Sequence, residues 1–390
     1  IRRGMKDKTI VILGGGFGGL ATANQLRKVL PPEHRIIVVE RQSAFHMCSS
    51  KMRLMVGEIK DLGEEERELS GLARKGIEWV HGEVLEIDPK ERKVRTSQGT
   101  LEGDYLIIAL GAEKDGSAIP GFAESAYNLY DSNGALLLYK ALQEFDGGRA
   151  VVLICRTPFS CPAAPYEAAF LMDSSFRNKG NRQKVEIAIY TPEPRPLPAA
   201  GPEMGNAVVS MLKDRDIKYY PQHKLQKIEN GSRKIIFEGG EASFDLLVGI
   251  PPHMAPEVVR QAGLNDETGW IPVDLNTLET KYPGVFALGD VTSIRQPNPT
   301  GLFLPKAWVF ADEQSRVIAK NIAAQIKGED RSNKFNGSGF CYLEVGNGLA
   351  AYGSGNFYAY PTARVILEPP SQSHHEERRK IELEQLEALV

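Results

Sequence analysis

The chain has 390 residues, 42% of them apolar and 25% charged, an ordinary globular composition long enough for two or three domains with sizeable cores. Lys and Arg total 47 against 50 Asp and Glu, and a net charge of -3 leaves no electrostatic footprint for nucleic acid, which excludes DNA and RNA as partners. Four cysteines are too few for a disulfide scaffold, and no apolar run approaches the roughly 18–20 residues needed to cross a bilayer.

The run Thr9-Ile10-Val11-Ile12-Leu13 predicts a strand buried on both faces of a parallel sheet. It leads into Gly14-Gly15-Gly16-Phe17-Gly18-Gly19, a helix from Leu20 to Arg27, and a second strand from Arg35 to Glu40. Asp104 to Gly111 and Tyr282 to Asp290 each read as a strand running into glycine. Between them, strands Arg149 to Cys155 and Val185 to Thr191 flank the helix-like Tyr166 to Met172 as a second βαβ unit. From about Ser332 the pattern changes to antiparallel strands, Gly337 to Val345 and Ala363 to Glu368. His374 to Val390 reads as one charged helix, in which Ile381, Leu383, Leu386 and Leu389 make only a partial apolar face and His374-His375 read as solvated surface. The expected fold class is α/β, with two Rossmann-like doubly wound domains, the second inserted in the first, and a small C-terminal α+β region. The expected boundaries are 5–115 with 245–330 for the first, 116–244 for the second and 331–390 for the last.

Gly14-x-Gly16-x-x-Gly19 between strand and helix, with Glu40 ending the next strand, is the context that makes this fingerprint informative. The glycines let the backbone approach a pyrophosphate, the helix start supplies unpaired N–H groups, and Glu40 is placed to accept from ribose hydroxyls. The fingerprint alone leaves FAD and NAD open. An acid after a tight glycine turn, Gly289-Asp290, suits ribityl hydroxyls and favours FAD.

Together the glycine loop, Ile107 to Gly111 and Gly289-Asp290 resemble the two-dinucleotide flavoprotein superfamily that includes glutathione reductase, type II NADH dehydrogenase and sulfide:quinone oxidoreductase. A nicotinamide-binding member carries a second glycine loop after the strand ending near Ile154. This chain has Cys155-Arg156-Thr157-Pro158-Phe159-Ser160-Cys161-Pro162 there, whose side chains and prolines oppose close pyrophosphate approach. The second domain is therefore expected to be degenerate for NAD.

The blocks around Cys161 and Cys341 resemble the flavin subunit of flavocytochrome c sulfide dehydrogenase and, less closely, sulfide:quinone oxidoreductase. That resemblance implies a redox disulfide between Cys161 and Cys341, attacked by hydrosulfide beside the flavin. It implies proton transfer by Glu167, and FAD contacts from Gly14, Gly16, Gly19, Glu40, Arg41, Val84, Gly111, Asp290 and Lys306, with Lys306 at the pyrimidine edge. It also implies a thioether from Cys48 to the 8-methyl group of FAD. Read as residues alone, each cysteine is as readily a small buried hydrophobe, and Cys155, ending an apolar strand, is kept as structural. Glu167 reads equally as a first-turn helix charge. No Cys-x-x-Cys or His-x-x-x-His spacing occurs, so no metal is expected.

The expected activity is oxidation of sulfide to sulfane sulfur or polysulfide, with electrons passed to a cytochrome c subunit or a quinone. Gly301 to Leu304 and Trp308 to Phe310 are candidates for a quinone pocket, or else plain flavin-domain core. Competing readings are a type II NADH:quinone oxidoreductase and a non-enzymatic flavin-fold redox or sulfur-carrier partner. Membrane association is expected to be peripheral at most. A periplasmic location follows if a leader has been removed, and a cytoplasmic, membrane-peripheral one if Met5 is the start.

Overall fold

Thr9–Leu13 forms the central strand of a five-stranded sheet in the computed structural model, which describes residues 7–390. The order across it is Val285–Ala287, Tyr105–Ile108, Thr9–Leu13, Arg35–Glu40, Glu78–His81, and every pairing is parallel. Ile10 to Leu13 and Leu106 to Ile108 are fully buried. Each such aliphatic side chain contributes about 1.5–3 kcal/mol of burial, which is why unbroken apolar runs rather than alternating ones occupy the sheet centre. Leu13 lies opposite both Val39 and Ile108, so the strands end together and their carboxyl ends open one shared crevice.

A second parallel sheet has the order Tyr127–Asn128, Leu246–Ile250, Gly148–Ile154, Val185–Tyr190, Ile217–Tyr220. The expected boundary at 244/245 is corrected here. Leu246–Ile250 belongs to this second sheet, where its buried apolar residues pair along Ala150 to Ile154. The chain crosses between the sheets at Glu113-Lys114 and His253-Met254, which pair antiparallel. Each sheet carries a three-stranded antiparallel meander, Val84–Asp88 to Gly99–Glu102 on the first and Leu225–Glu229 to Gly240–Ser243 on the second.

The C-terminal region is an antiparallel sheet of Ser338–Gly346, Leu349–Asn356 and Arg364–Ser371, followed by the helix Gln372–Leu389. Ser371 caps that helix by accepting from the His374 N–H at 3.1 Å. Its buried stripe is Arg378, Glu382, Leu386 and Leu389, steps of four, four and three residues in which half the positions are charged. Leu383, counted on the apolar face in the sequence, is exposed. The histidine pair is also corrected: His375 Nδ1 lies 3.0 Å from Glu344 and His374 Nε2 3.2 Å from Glu368. Among the described residues no helix is long and apolar enough to cross a membrane.

The buried charges on this helix are satisfied by a continuous ion chain. Glu167 pairs with Arg378, Arg378 Nε donates to Glu382 at 3.0 Å, Arg53 Nη1 donates to Glu382 at 2.6 Å, and Arg53 pairs with Glu65. Arg379 adds a contact to Glu65 at 2.6 Å. Burial alone would raise the Glu65 pKa, but hydrogen bonds from Arg53, Ser50 and Arg379 outweigh it and hold the group at about 2.

Removing one member of such a buried chain strands its partners' charges. Arg53→Ala is expected to lower unfolding stability by about 3–5 kcal/mol in urea titration at neutral pH. Because the Glu65 pKa is lowered on folding, its share of stability is present above its ordinary value near 4.5 and is lost as pH falls toward 2. The acid limb of unfolding is therefore expected to flatten in Glu65→Gln, measured by circular dichroism against pH.

Candidate redox site

Three turns meet at the carboxyl ends of the first sheet. The glycine loop is tied down by the Gly14 N–H donating to Val39 O at 2.9 Å, and the Leu288 N–H donates to Ile108 O at 3.1 Å. Gly14 has φ +102, and a Cβ there would lie 2.4 Å from Ala109 O, while one at Gly19 would lie 1.9 Å from Gly14 O. These two glycines are demanded by packing between helix Phe17–Val29 and the sheet. Gly16 differs, since its Cβ would meet nothing within 4 Å. Its surface is open toward the crevice, which is the cradle a pyrophosphate requires.

Glu40 Oε2 accepts from the Gly15 N–H at 2.7 Å and Oε1 from the Gln42 N–H at 2.9 Å, so the acid sits directly at the glycine loop. Arg41 Nη1 reaches Glu83 at 3.3 Å, which brings Val84 alongside the end of the same strand. Gly111, with φ +65, follows the neighbouring strand. The sequence-predicted cofactor residues of the first domain thus share one crevice, and their chemistry fits an adenine dinucleotide.

The third turn is Gly289-Asp290, and here the second domain enters. The loop after Gly148–Ile154 does not form a phosphate cradle. Cys155 and Phe159 are buried, and the chain runs across to the first domain. Ser160 pairs with Lys306 as an isolated parallel bridge, the Cys161 N–H donates to Lys306 O at 2.6 Å, and Ser160 Oγ donates to Asp290 Oδ2 at 2.5 Å. Tyr130 Oη donates to Ser160 O at 2.6 Å and lies 3.3 Å from Cys161 O. Lys306 is occupied from below, donating to Asp290 O at 2.6 Å and Thr292 O at 2.9 Å, with its ammonium 3.6 Å from the centre of the Trp270 ring. Burial pushes its pKa down to about 7 against the pull of Asp290. In this arrangement Lys306 braces the Gly289-Asp290 turn as well as contributing charge.

Cys161 has φ +48, a left-handed conformation costing about 1–2 kcal/mol in a non-glycine residue. It is held there by Lys306 and Tyr130 just ahead of helix Ala164–Lys179. The Cys48 and Cys161 thiols are the largest influence on each other's ionisation: Cys161 pulls the Cys48 thiol down, with Lys51 assisting, and Cys48 pushes the Cys161 thiol up. Cys341 is near enough for its charge to act on Cys161. Its own thiol is pushed up to about 12 by burial and then by Glu167. All cysteines are free thiols; Cys48 is exposed, Cys161 and Cys341 are half-buried and Cys155 is buried.

Glu167 lies in the first turn of its helix and is almost fully buried, accepting from Arg378 and, at 2.9 Å, from the Glu344 N–H. Sequence reading singled out Cys48, Cys161, Cys341 and Glu167 but missed Tyr130 and Ser160, which fasten the Cys161 loop, and Arg378, which pairs with Glu167. No motif marked Tyr130 or Arg378; only the four-residue spacing of Arg378 and Glu382 hinted at a buried ionic stripe.

A Rossmann-type sheet with a glycine cradle, to whose Gly289-Asp290 turn the second domain fastens the Cys161 loop, is the architecture of a dinucleotide-binding oxidoreductase. The chain belongs to the pyridine nucleotide-disulphide oxidoreductase family, whose sequence profile matches residues 8–315. It is 29% identical over 371 residues to the mitochondrial sulfide:quinone oxidoreductase of Mus musculus, covering 90% of this chain and 79% of that protein. It is 27% identical over 391 residues to the sulfide-quinone reductase of Aquifex aeolicus, covering 94% and 88%. The crystal structure of the Aquifex aeolicus sulfide:quinone oxidoreductase superposes with a TM-score of 0.87 at 25% identity, covering 98% of this chain and 91% of that one. A type II NADH:quinone oxidoreductase of Staphylococcus aureus is 23% identical over 340 residues, covering 83% of each. Family and fold together make the chain a flavin-type oxidoreductase, with FAD the dinucleotide implied.

The glycines separate packing from binding. Gly16→Val is expected to keep the melting temperature within a few degrees while abolishing FAD retention on gel filtration, because its side chain fills only the cradle. Gly19→Ala is expected to fail at the level of soluble folded protein.

Proposed function

We propose that this chain oxidises sulfide to sulfane sulfur at Cys161 and Cys341 and passes the electrons to a quinone. The single observation that carries the reading is that the loop bearing Cys161 is fastened to the Gly289-Asp290 turn of a flavin-type fold, with Cys341 packed against the same apolar cluster as Cys161. The sulfide:quinone oxidoreductases of Mus musculus and Aquifex aeolicus support the substrate and the acceptor class.

In the oxidised state Cys161 and Cys341 share an S–S bond. Hydrosulfide attacks one sulfur, forming a persulfide and releasing the other cysteine as a thiolate. FAD, when bound, supplies the two-electron oxidant that restores the pair. Gly14, Gly16 and Gly19 would hold its pyrophosphate, Glu40 its ribose, and Asp290 with Lys306 the flavin end, where Lys306 would supply positive charge. Glu167, fixed by Arg378 and acting on the charge of both Cys161 and Cys341, is the group placed to accept a proton from the site.

The route of the Cys155–Cys161 loop argues against NADH as donor, since the segment that would cradle its pyrophosphate is spent reaching Lys306 and Asp290. A quinone is favoured over a cytochrome c subunit by partly exposed aromatic rings beside Cys341. Trp308 lies 5.8 Å from Phe340 and 5.0 Å from Phe17, ring centre to ring centre. Val309, Phe310 and Leu304, candidates for the same pocket, are core residues instead.

In anaerobic titration the oxidised-flavin absorbance band is expected to bleach with sulfide and to persist with NADH. Cys161→Ser and Cys341→Ser are expected to abolish the sulfide response. Bleaching by NADH alone would make an NADH:quinone oxidoreductase the answer. On the acceptor side, Phe340→Ala is expected to raise KM for a short-chain quinone about tenfold while leaving sulfide-driven bleaching in place, measured by steady-state and stopped-flow kinetics.

A further inference from the structure

A buried base that takes a proton must give it up before it can act again, and Glu167 has almost no surface of its own. It sits in the first turn of the helix that begins three residues after Cys161, and it grips the strand carrying Cys341 by accepting from the Glu344 N–H at 2.9 Å. Its other partner is Arg378, whose Nη1 also lies 3.7 Å from Glu344 Oε1, so two carboxylates meet one guanidinium nitrogen. A guanidinium stays protonated and passes nothing on. Glu344 is different, because His375 Nδ1 lies 3.1 and 3.0 Å from its two oxygens.

Glu344, His375 and Arg378 line a solvent-open cleft of about 350 Å³ between the last helix and helix Ser50–Val56. Ser49 lines it too, and its buried Oγ has no hydrogen-bond partner among the described residues. A buried hydroxyl without a protein partner is satisfied by water, so the cleft is wet down to its buried groups. Resting on the sulfide-oxidising reading and deepening it, we propose that Glu344 and His375 are the proton path between Glu167 and solvent, a carboxylate and an imidazole in series along this cleft.

Glu167 takes the proton of the persulfide formed by hydrosulfide: the S–H bond breaks, an O–H bond forms on Glu167, and the electron pair stays on sulfur. The proton then crosses to Glu344 through the water of the cleft, which returns Glu167 to a carboxylate, and passes to the His375 ring and out to solvent. Every step exchanges a proton between two bases, and no atom changes oxidation state. While the proton is shared between Glu167 and Glu344, the net charge around Arg378 is constant, so no new charge is buried. Burial, with Glu167 adding to it, raises the Glu344 pKa against the pull of Arg378 and His375, which suits a carboxylate that holds a proton in passing. The other charged groups on the cleft are Arg53, Glu58, Arg379 and Glu382. Glu382 offers no second path: burial would raise its pKa, but Arg378 and Arg53 outweigh it and keep the group a carboxylate. Arg53 and Arg379 are committed to Glu65, and Glu58 is exposed beyond them.

The test compares one turnover with many on the FAD-loaded full chain under anaerobic conditions. One equivalent of sodium sulfide without acceptor follows the first flavin bleaching, for which a resting Glu167 carboxylate suffices; excess sulfide with a short-chain quinone follows steady turnover, which needs Glu167 reset each cycle. His375→Ala and Glu344→Gln are expected to complete the first bleaching but to turn over about tenfold more slowly. Free imidazole, small enough for the cleft, is expected to restore His375→Ala in proportion to its concentration and to leave Glu344→Gln slow, a pattern that loss of a structural contact does not produce. Full-speed turnover in His375→Ala, or slow turnover that imidazole does not restore, overturns the proposal and leaves the sulfide-oxidising reading standing. Absence of bleaching or turnover in the unaltered chain overturns that reading and the proposal together.

Discussion

One crossing governs the site: the loop that leaves the second sheet after Ile154 and fastens to the first domain. Its fastenings are few and short, the Cys161 N–H on Lys306 O at 2.6 Å and Ser160 Oγ on Asp290 Oδ2 at 2.5 Å, with Tyr130 closing from the side. They do three things at once. They deliver Cys161 to the turn expected to face the flavin, they hold it at a φ that few residues adopt, and they divert backbone that a nicotinamide-binding relative would use for phosphate.

The C-terminal helix supplies the second constraint. Its sequence is charged throughout, yet Arg378 and Glu382 are buried because Glu167, Glu344, Arg53 and Glu65 complete a chain of alternating sign through them. Such chains add little net stability over an apolar core, but a missing member costs the whole desolvation of its neighbours. The helix is therefore committed to one position, with Arg378 directly against the carboxylate nearest the cysteines. A stretch that looks like solvated surface in sequence acts as the back wall of the site.

Within that frame the thiols are graded. Cys155 is sealed in the core, burial and then Glu167 push the Cys341 thiol up, and Cys48 is the exposed one.

What the sequence determined by itself was everything carried by local pattern. Unbroken apolar runs at Thr9–Leu13 and Gly148–Ile154 read as central strands, glycines at 14, 16 and 19 with Glu40 read as a dinucleotide crevice, and prolines with bulky side chains at 155–162 stand where a second glycine loop would be. The family resemblance added the importance of Cys161 and Cys341. Tertiary structure alone decided that Leu246–Ile250 pairs with Gly148–Ile154 and so belongs to the second sheet, because strand partnership depends on register across nearly a hundred residues. It alone brought Tyr130 to Ser160 and Arg378 to Glu167, since hydrogen bonds and ion pairs between distant segments leave no periodicity in the chain. Local propensity writes itself into neighbouring residues; the partners of a buried charge or a thiol are chosen only when the fold closes around them.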